Sequence, residues 1–85
     1  METHEGLYHE LKEIFDELNV VLTNVIQEPW KDEYFFLTQR AQASLSFHYN
    51  KKNIFTSVVP QSTKGEEDTQ LQQIVTRLKG DHYGF

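Results

Sequence analysis

Eighty-five residues with no cysteine allow one hydrophobic core and exclude disulfides, zinc–thiolate centres and thiol nucleophiles. Apolar content of 38%, charged content of 25% and an aromatic share of 13% describe a chain that folds as a single domain, 1–85, with loose ends at 1–5 and 81–85. The net charge of −5 is lopsided, because residues 1–33 carry Glu2, Glu5, Glu10, Glu13, Asp16, Glu17, Glu28, Asp32 and Glu33 against Lys12 and Lys31; such a surface repels phosphate and anionic lipid and suits a basic protein partner.

The opening METHEGLYHELKE is polar and acidic where an export signal is basic and then apolar. No apolar run reaches spanning length, so a cytoplasmic home without a membrane is expected. From Leu7, apolar residues recur at Leu11, Ile14, Phe15, Leu18, Val21, Leu22 and Val25 in steps of three and four, which predicts a helix capped by Thr3 and ended near Gln27 by Pro29. Asn19 to Leu22 is β-branched enough to compete as a strand. Trp30 reads as a core plug at the corner between helix and sheet.

Three strands follow: Tyr34–Gln39, Ala43–Tyr49 with strict alternation, and Ile54–Val59, stopped by Pro60. A tight turn at Lys51–Lys52 sets Tyr49 opposite Ile54, Phe47 opposite Thr56 and Leu45 opposite Val58. That register leaves Phe55 on the polar face with Ser44, Ser46 and His48. Thr63 and Glu66 have capping-box spacing ahead of a second helix with an apolar stripe of Leu71, Ile74, Val75 and Leu78, closed by Gly80.

The expected fold is therefore α+β, helix, three-stranded antiparallel meander, helix (α-β-β-β-α), with both helices on one sheet face. The first strand carries aromatics on both sides, so either Tyr34 and Phe36 or Phe35 and Leu37 point away from the helices. That surplus marks the sheet as an interface, and His48, Phe55, Tyr34, Phe36, Glu66, Glu67 and Asp68 are the candidate partner-binding residues.

Chemistry finds no home in this pattern. His4 and His9 fall on different sides of a helix, and His9 with Glu13 offers two ligands where a closed metal site needs more. Ser44, Ser46 and His48 alternate along one strand with no orienting carboxylate and no sharp turn to present a nucleophile. Carboxylate pairs such as Glu10 with Glu13, or Glu66 with Glu67, lie on helices without a pocket. No catalytic residue, metal or cofactor is assigned. The element order is also that of double-stranded RNA-binding domains, but Gly65-Glu66-Glu67-Asp68 stands where that module needs lysines, so nucleic acid is the disfavoured partner.

Leu7-Tyr8, the Pro29-Trp30 step, the aromatic stretch Tyr34-Phe35-Phe36-Leu37 and Ser46-Phe47-His48-Tyr49 resemble the YezG-like immunity-protein family over residues 7–60. The resemblance implies an antitoxin that masks a toxin, often a nuclease, in a bacterial cytoplasm. The expected function is a non-enzymatic protein-binding domain, in its most specific form an inhibitor of a basic toxin. The alternative is a homodimeric structural or regulatory module joined through the spare sheet face.

Overall fold

The computed structural model describes residues 4–80, without the side chains of His4, Glu5 and Glu66. Thr3 as a cap and the tail after Gly80 lie outside them. The elements run α1 (His4–Glu17), β1 (Val21–Glu28), β2 (Lys31–Leu37), β3 (Gln42–Tyr49), β4 (Phe55–Ser62), a short 3-10 turn over Gly65–Glu67, and α2 (Thr69–Lys79). The strands form one antiparallel sheet in the order β1-β2-β3-β4.

The expectation of three strands is thus corrected to four, α-β-β-β-β-α. The first helix stops ten residues before Gln27. Asn19 takes the left-handed conformation at φ 57, the Val20 N–H donates to the Phe15 carbonyl at 2.9 Å, and the Asn19 N–H reaches Asp16 at 3.4 Å. This is a Schellman stop, with asparagine in the position usually held by glycine. Val20, 6% exposed, closes it by packing back on the helix. Downstream the β-branched run Val20–Ile26 forms β1, and Pro29–Trp30 is the two-residue turn of a hairpin that pairs Glu28 with Lys31.

Strand alternation then sorts the side chains. In β2, Asp32, Tyr34 and Phe36 are buried while the residues between them are not, so Phe35 and Leu37 are the pair that turns away from the helices. In β3, Ala43, Leu45, Phe47 and Tyr49 enter the core as the alternation predicts. Helix α1 supplies Leu7, Leu11, Ile14 and Phe15, and α2 supplies Leu71, Ile74, Val75 and Leu78, all to one buried cluster with the sheet residues. Phe15 meets Phe36 at 4.9 Å between ring centroids. The two helices are joined by the Arg77–Glu17 ion pair and by Gln70 Nε2, which donates to the Leu18 carbonyl at 2.8 Å.

The register of β3 with β4 also differs from the expected one. Tyr49 pairs with Phe55, but His48 pairs with Ser57, leaving Thr56 as an extra residue in a bulge. The Asn50 carboxamide shapes the turn by accepting from the N–H groups of Lys52 and Ile54 at 2.9 and 3.2 Å. Asn53 completes it at φ 60. This shift swings Phe55 into the core, fully buried, edge-on to Phe47 and Tyr49 at 5.6 and 5.9 Å.

A buried carboxylate ties the far end together. Asp68 caps α2 by accepting from the Leu71 N–H at 3.2 Å, and its other oxygen accepts from Thr38 Oγ1 at 2.7 Å and Ser62 Oγ at 2.9 Å. One side chain therefore fixes the start of α2 to the β2–β3 turn and to the end of β4. The Thr63–Glu66 capping box is not used: the turn after Lys64 has no side-chain cap, and α2 begins three residues beyond Glu66.

Candidate functional site: the open face of the sheet

With both helices committed to one side, the other side of the sheet has no covering element among the described residues. Cross-strand register assigns its surface: Asn24, Phe35, Ser44 and Gln61 form one row, Ile26, Glu33, Ser46 and Val59 the next, and Glu28, Lys31, His48 and Ser57 the last. Val21, Leu37 and Gln42 complete it. Most of these side chains are hydroxyls, carboxamides or apolar groups, and Ile26, Leu37 and Val59 are each 41% exposed. Ser44 is only 8% exposed although no helix lies over it; the longer side chains of Phe35 and Gln61 flank it on the neighbouring strands.

Charge on this face is confined to its hairpin end. Lys31 Nζ lies 2.7 Å from Glu33 and 4.0 Å from Glu28. The hydrogen bond that the ammonium donates to Glu33 holds the lysine above its ordinary pKa. Just beyond, Trp30 stands 50% exposed at the hairpin tip with its ring edge-on to Tyr49 at 6.5 Å. It is not the core plug expected from its place after proline. A two-residue turn has no interior in which to bury an indole.

The distribution of charge along the chain now gains a spatial meaning. Between Tyr34 and Lys64 there are four cations, Arg40, Lys51, Lys52 and Lys64, and no carboxylate, against thirteen carboxylates and four cations elsewhere. All four are exposed and sit in the loops that rim the sheet. The acid surplus lies on α1, whose Glu13, Asp16 and Glu17 are exposed on the helix side.

Of the seven residues proposed from sequence, His48 alone shares the open face, where it is half-buried. Tyr34, Phe36 and Phe55 are at most 1% exposed and belong to the core, and Asp68 is the buried cap. Glu67 is exposed on the turn before α2, beyond the strands, and the side chain of Glu66 lies outside the described residues. The face also holds Ile26, Val59 and Gln61, with Trp30 at its hairpin end, none of which is among those seven. The β-branched residues Val20, Val21, Thr23, Val25 and Ile26 favour a strand over their stretch, but Val21, Leu22 and Val25 also continue the helical steps of three and four.

Beneath Trp30 a polar group enters the core. Asp32 is fully buried and accepts from the Tyr49 hydroxyl at 3.2 Å, and the same hydroxyl donates to the Glu28 carbonyl at 3.0 Å. Burial first, then the Asp32 charge and its hydrogen bond, push the Tyr49 hydroxyl up. Burial and the same carboxylate push Tyr34 well above the phenol range. The unfolded chain loses these protons near pH 10 while the folded chain keeps them, so the stability they carry is intact below about pH 10 and falls as pH rises further. Melting followed from pH 9 to 11.5 should show this decline, and Tyr49→Phe should reduce it while Tyr34 sustains the remainder; a melting temperature independent of pH in the wild type would contradict the assignment.

Among the described residues no three His, Asp or Glu side chains converge as metal ligands, and no helix is long and apolar enough to cross a membrane. No curated protein and no solved structure matches the chain. A conflict-system family is shown, which agrees with the resemblance to immunity proteins at that coarser level but not with the YezG-like family itself. The family model of the TATA-binding-like protein domain of the TOTE conflict systems matches residues 2–78, and the chain belongs to that family.

Proposed function

We propose that this domain is a non-enzymatic binding module of a conflict system, working in the cytoplasm, that reads duplex nucleic acid across the open face of its sheet. The observation that carries the reading is the make-up of that face: Asn24, Ser44, Ser46, Ser57 and Gln61 interleaved with Ile26, Phe35 and Val59, rimmed by loops that hold four lysine or arginine residues and no acid between positions 34 and 64. A sheet laid in a minor groove uses hydroxyls and carboxamides on base edges and drives apolar wedges between base steps. Trp30, exposed at a stiff proline turn, has the size and position of such a wedge. The family's description as TATA-binding-like supports the same ligand class. The overall charge of −5 is unevenly placed: Glu13, Asp16 and Glu17 lie on the helix side, and the acids of the open face, Glu28 and Glu33, flank Lys31 at its hairpin end.

Fluorescence anisotropy with short A·T-rich and G·C-rich duplexes at about 50 and 200 mM salt tests the reading. Four rim cations set the steepest salt slope at roughly −3.6 in log K against log salt. Trp30→Ala should weaken binding by about ten- to a hundredfold, the range of one or two lost stacking contacts. Failure to retain any duplex at low salt would end the proposal.

The exposed acids Glu13, Asp16 and Glu17 on α1 support a second reading, an inhibitor that covers the basic groove of a toxin. It requires that a basic nuclease compete for the helix side and that duplex binding be absent. Reversal of these three charges separates the two, since it abolishes toxin capture and leaves duplex binding unchanged or stronger.

A further inference from the structure

The two edges of the sheet are unequally defended. Tyr49 N–H donates to the Trp30 carbonyl at 3.1 Å, which fixes the parity of the β2–β3 ladder: Asp32, Tyr34 and Phe36 turn their backbone groups to β3, and Lys31, Glu33, Phe35 and Leu37 turn theirs to β1. The β1 register then leaves the N–H and C=O of Leu22, Val25 and Gln27 facing outward. The Thr63 N–H donates to the Gln42 carbonyl at 3.1 Å, so on β4 the outward residues are Val58, Pro60 and Ser62.

Pro60 puts a missing donor and a ring in the middle of the β4 edge, and the Thr56 bulge bends the strand near its start. Both are devices that stop a further strand from adding. Strand β1 has eight residues, no proline and no lysine, and no charge before Glu28. The uncharged run extends back to Leu18. Val21 and Ile26 are 59% and 41% exposed. Its one defence besides a bulge at Thr23 is local: the Val25 N–H donates to the Oδ1 of the adjacent Asn24 at 2.9 Å, a contact that an incoming carbonyl replaces one for one.

We propose that β1 pairs with β1 of a second copy, antiparallel about a two-fold axis through Ile26. In this register Val25 of one copy exchanges both backbone hydrogen bonds with Gln27 of the other, and Ile26 meets its own copy on the open face. Glu28 faces the second copy's Asn24 and never another Glu28. With its single charge set opposite an asparagine, the strand meets itself with no like charges directly opposed. The occupant is therefore the chain itself, and the product is one continuous eight-stranded sheet. The pairing does not depend on the duplex reading and is measured without nucleic acid.

Sedimentation equilibrium, at concentrations on the order of 100 µM so that a pairing in the micromolar range is populated, should return twice the 10.1 kDa chain mass. Ile26→Lys and Ile26→Glu place like charges on the axis and should each give monomers with unchanged circular dichroism, since Ile26 lies outside the core. Mixing the two variants should restore the dimer through opposite charges. A wild type that stays monomeric overturns the proposal, and so does an Ile26→Lys variant that remains dimeric or a variant mixture that stays monomeric.

Discussion

Phe47→Ala should cost about 3–5 kcal/mol of folding stability, the range for deleting a fully buried phenylalanine. Phe47 is fully buried, packs edge-on against Tyr34 at 5.9 Å and Phe55 at 5.6 Å, and sits on the central strand pair of the sheet. Those neighbours are large, flat and held by their own strands, so they cannot collapse into the space left behind. A chain of 85 residues has a total stability near that cost. Urea denaturation should therefore show a variant largely unfolded at room temperature. A midpoint within 1 M of the wild type would mean that the rings relax more freely than their packing indicates.

The second large effect is expected at Asp68. Replacing it with alanine removes the cap of α2 and leaves two hydroxyls, of Thr38 and Ser62, without their acceptor. A cap alone is worth ~1 kcal/mol, and stranded polar groups add about 1–3 kcal/mol, so a loss of about 3 kcal/mol is expected. The distinguishing readout is location. Hydrogen exchange should accelerate at Leu71 to Ile74 and in the Thr38–Ala41 turn together, because one carboxylate holds both. Asp68→Asn, which keeps an acceptor, should recover part of the loss. Exchange confined to α2 would reduce Asp68 to an ordinary cap.

How far these features were legible in the sequence varied with how many signals agreed. Strand β3 was plain, because its alternation from Ala43 to Tyr49 admits one period. Helix α2 was plain in its stripe but not in its start, since the Thr63–Glu66 spacing competes with the cap that operates, Asp68 on Leu71, and the further partners of Asp68 lie 30 and 6 residues away. The α1–β1 boundary was hidden by coincidence: Val21, Leu22 and Val25 fall on helical steps, and the element that breaks the helix is a left-handed asparagine. Phe55 was misplaced for a related reason. Its burial depends on the extra residue Thr56, and a bulge shifts register without any change in composition. The open face was inferred as an interface before its members were known, and only the pairing of four strands brings Asn24 and Ile26 from β1 beside Ser44 and Val59.

The net charge of −5 says little about any one surface of this domain. A mean over the chain cannot distinguish acids spread evenly from acids gathered on one layer. Here five of the thirteen lie on α1, and the segment that builds most of the sheet holds none between Tyr34 and Lys64.

Pro60 also limits how large an assembly can grow. A molecule with two receptive flanks would recruit neighbours without end and lengthen into fibres. One whose far flank is barred by a pyrrolidine ring has a single valence, so each encounter uses up the capacity for the next and the product closes at two.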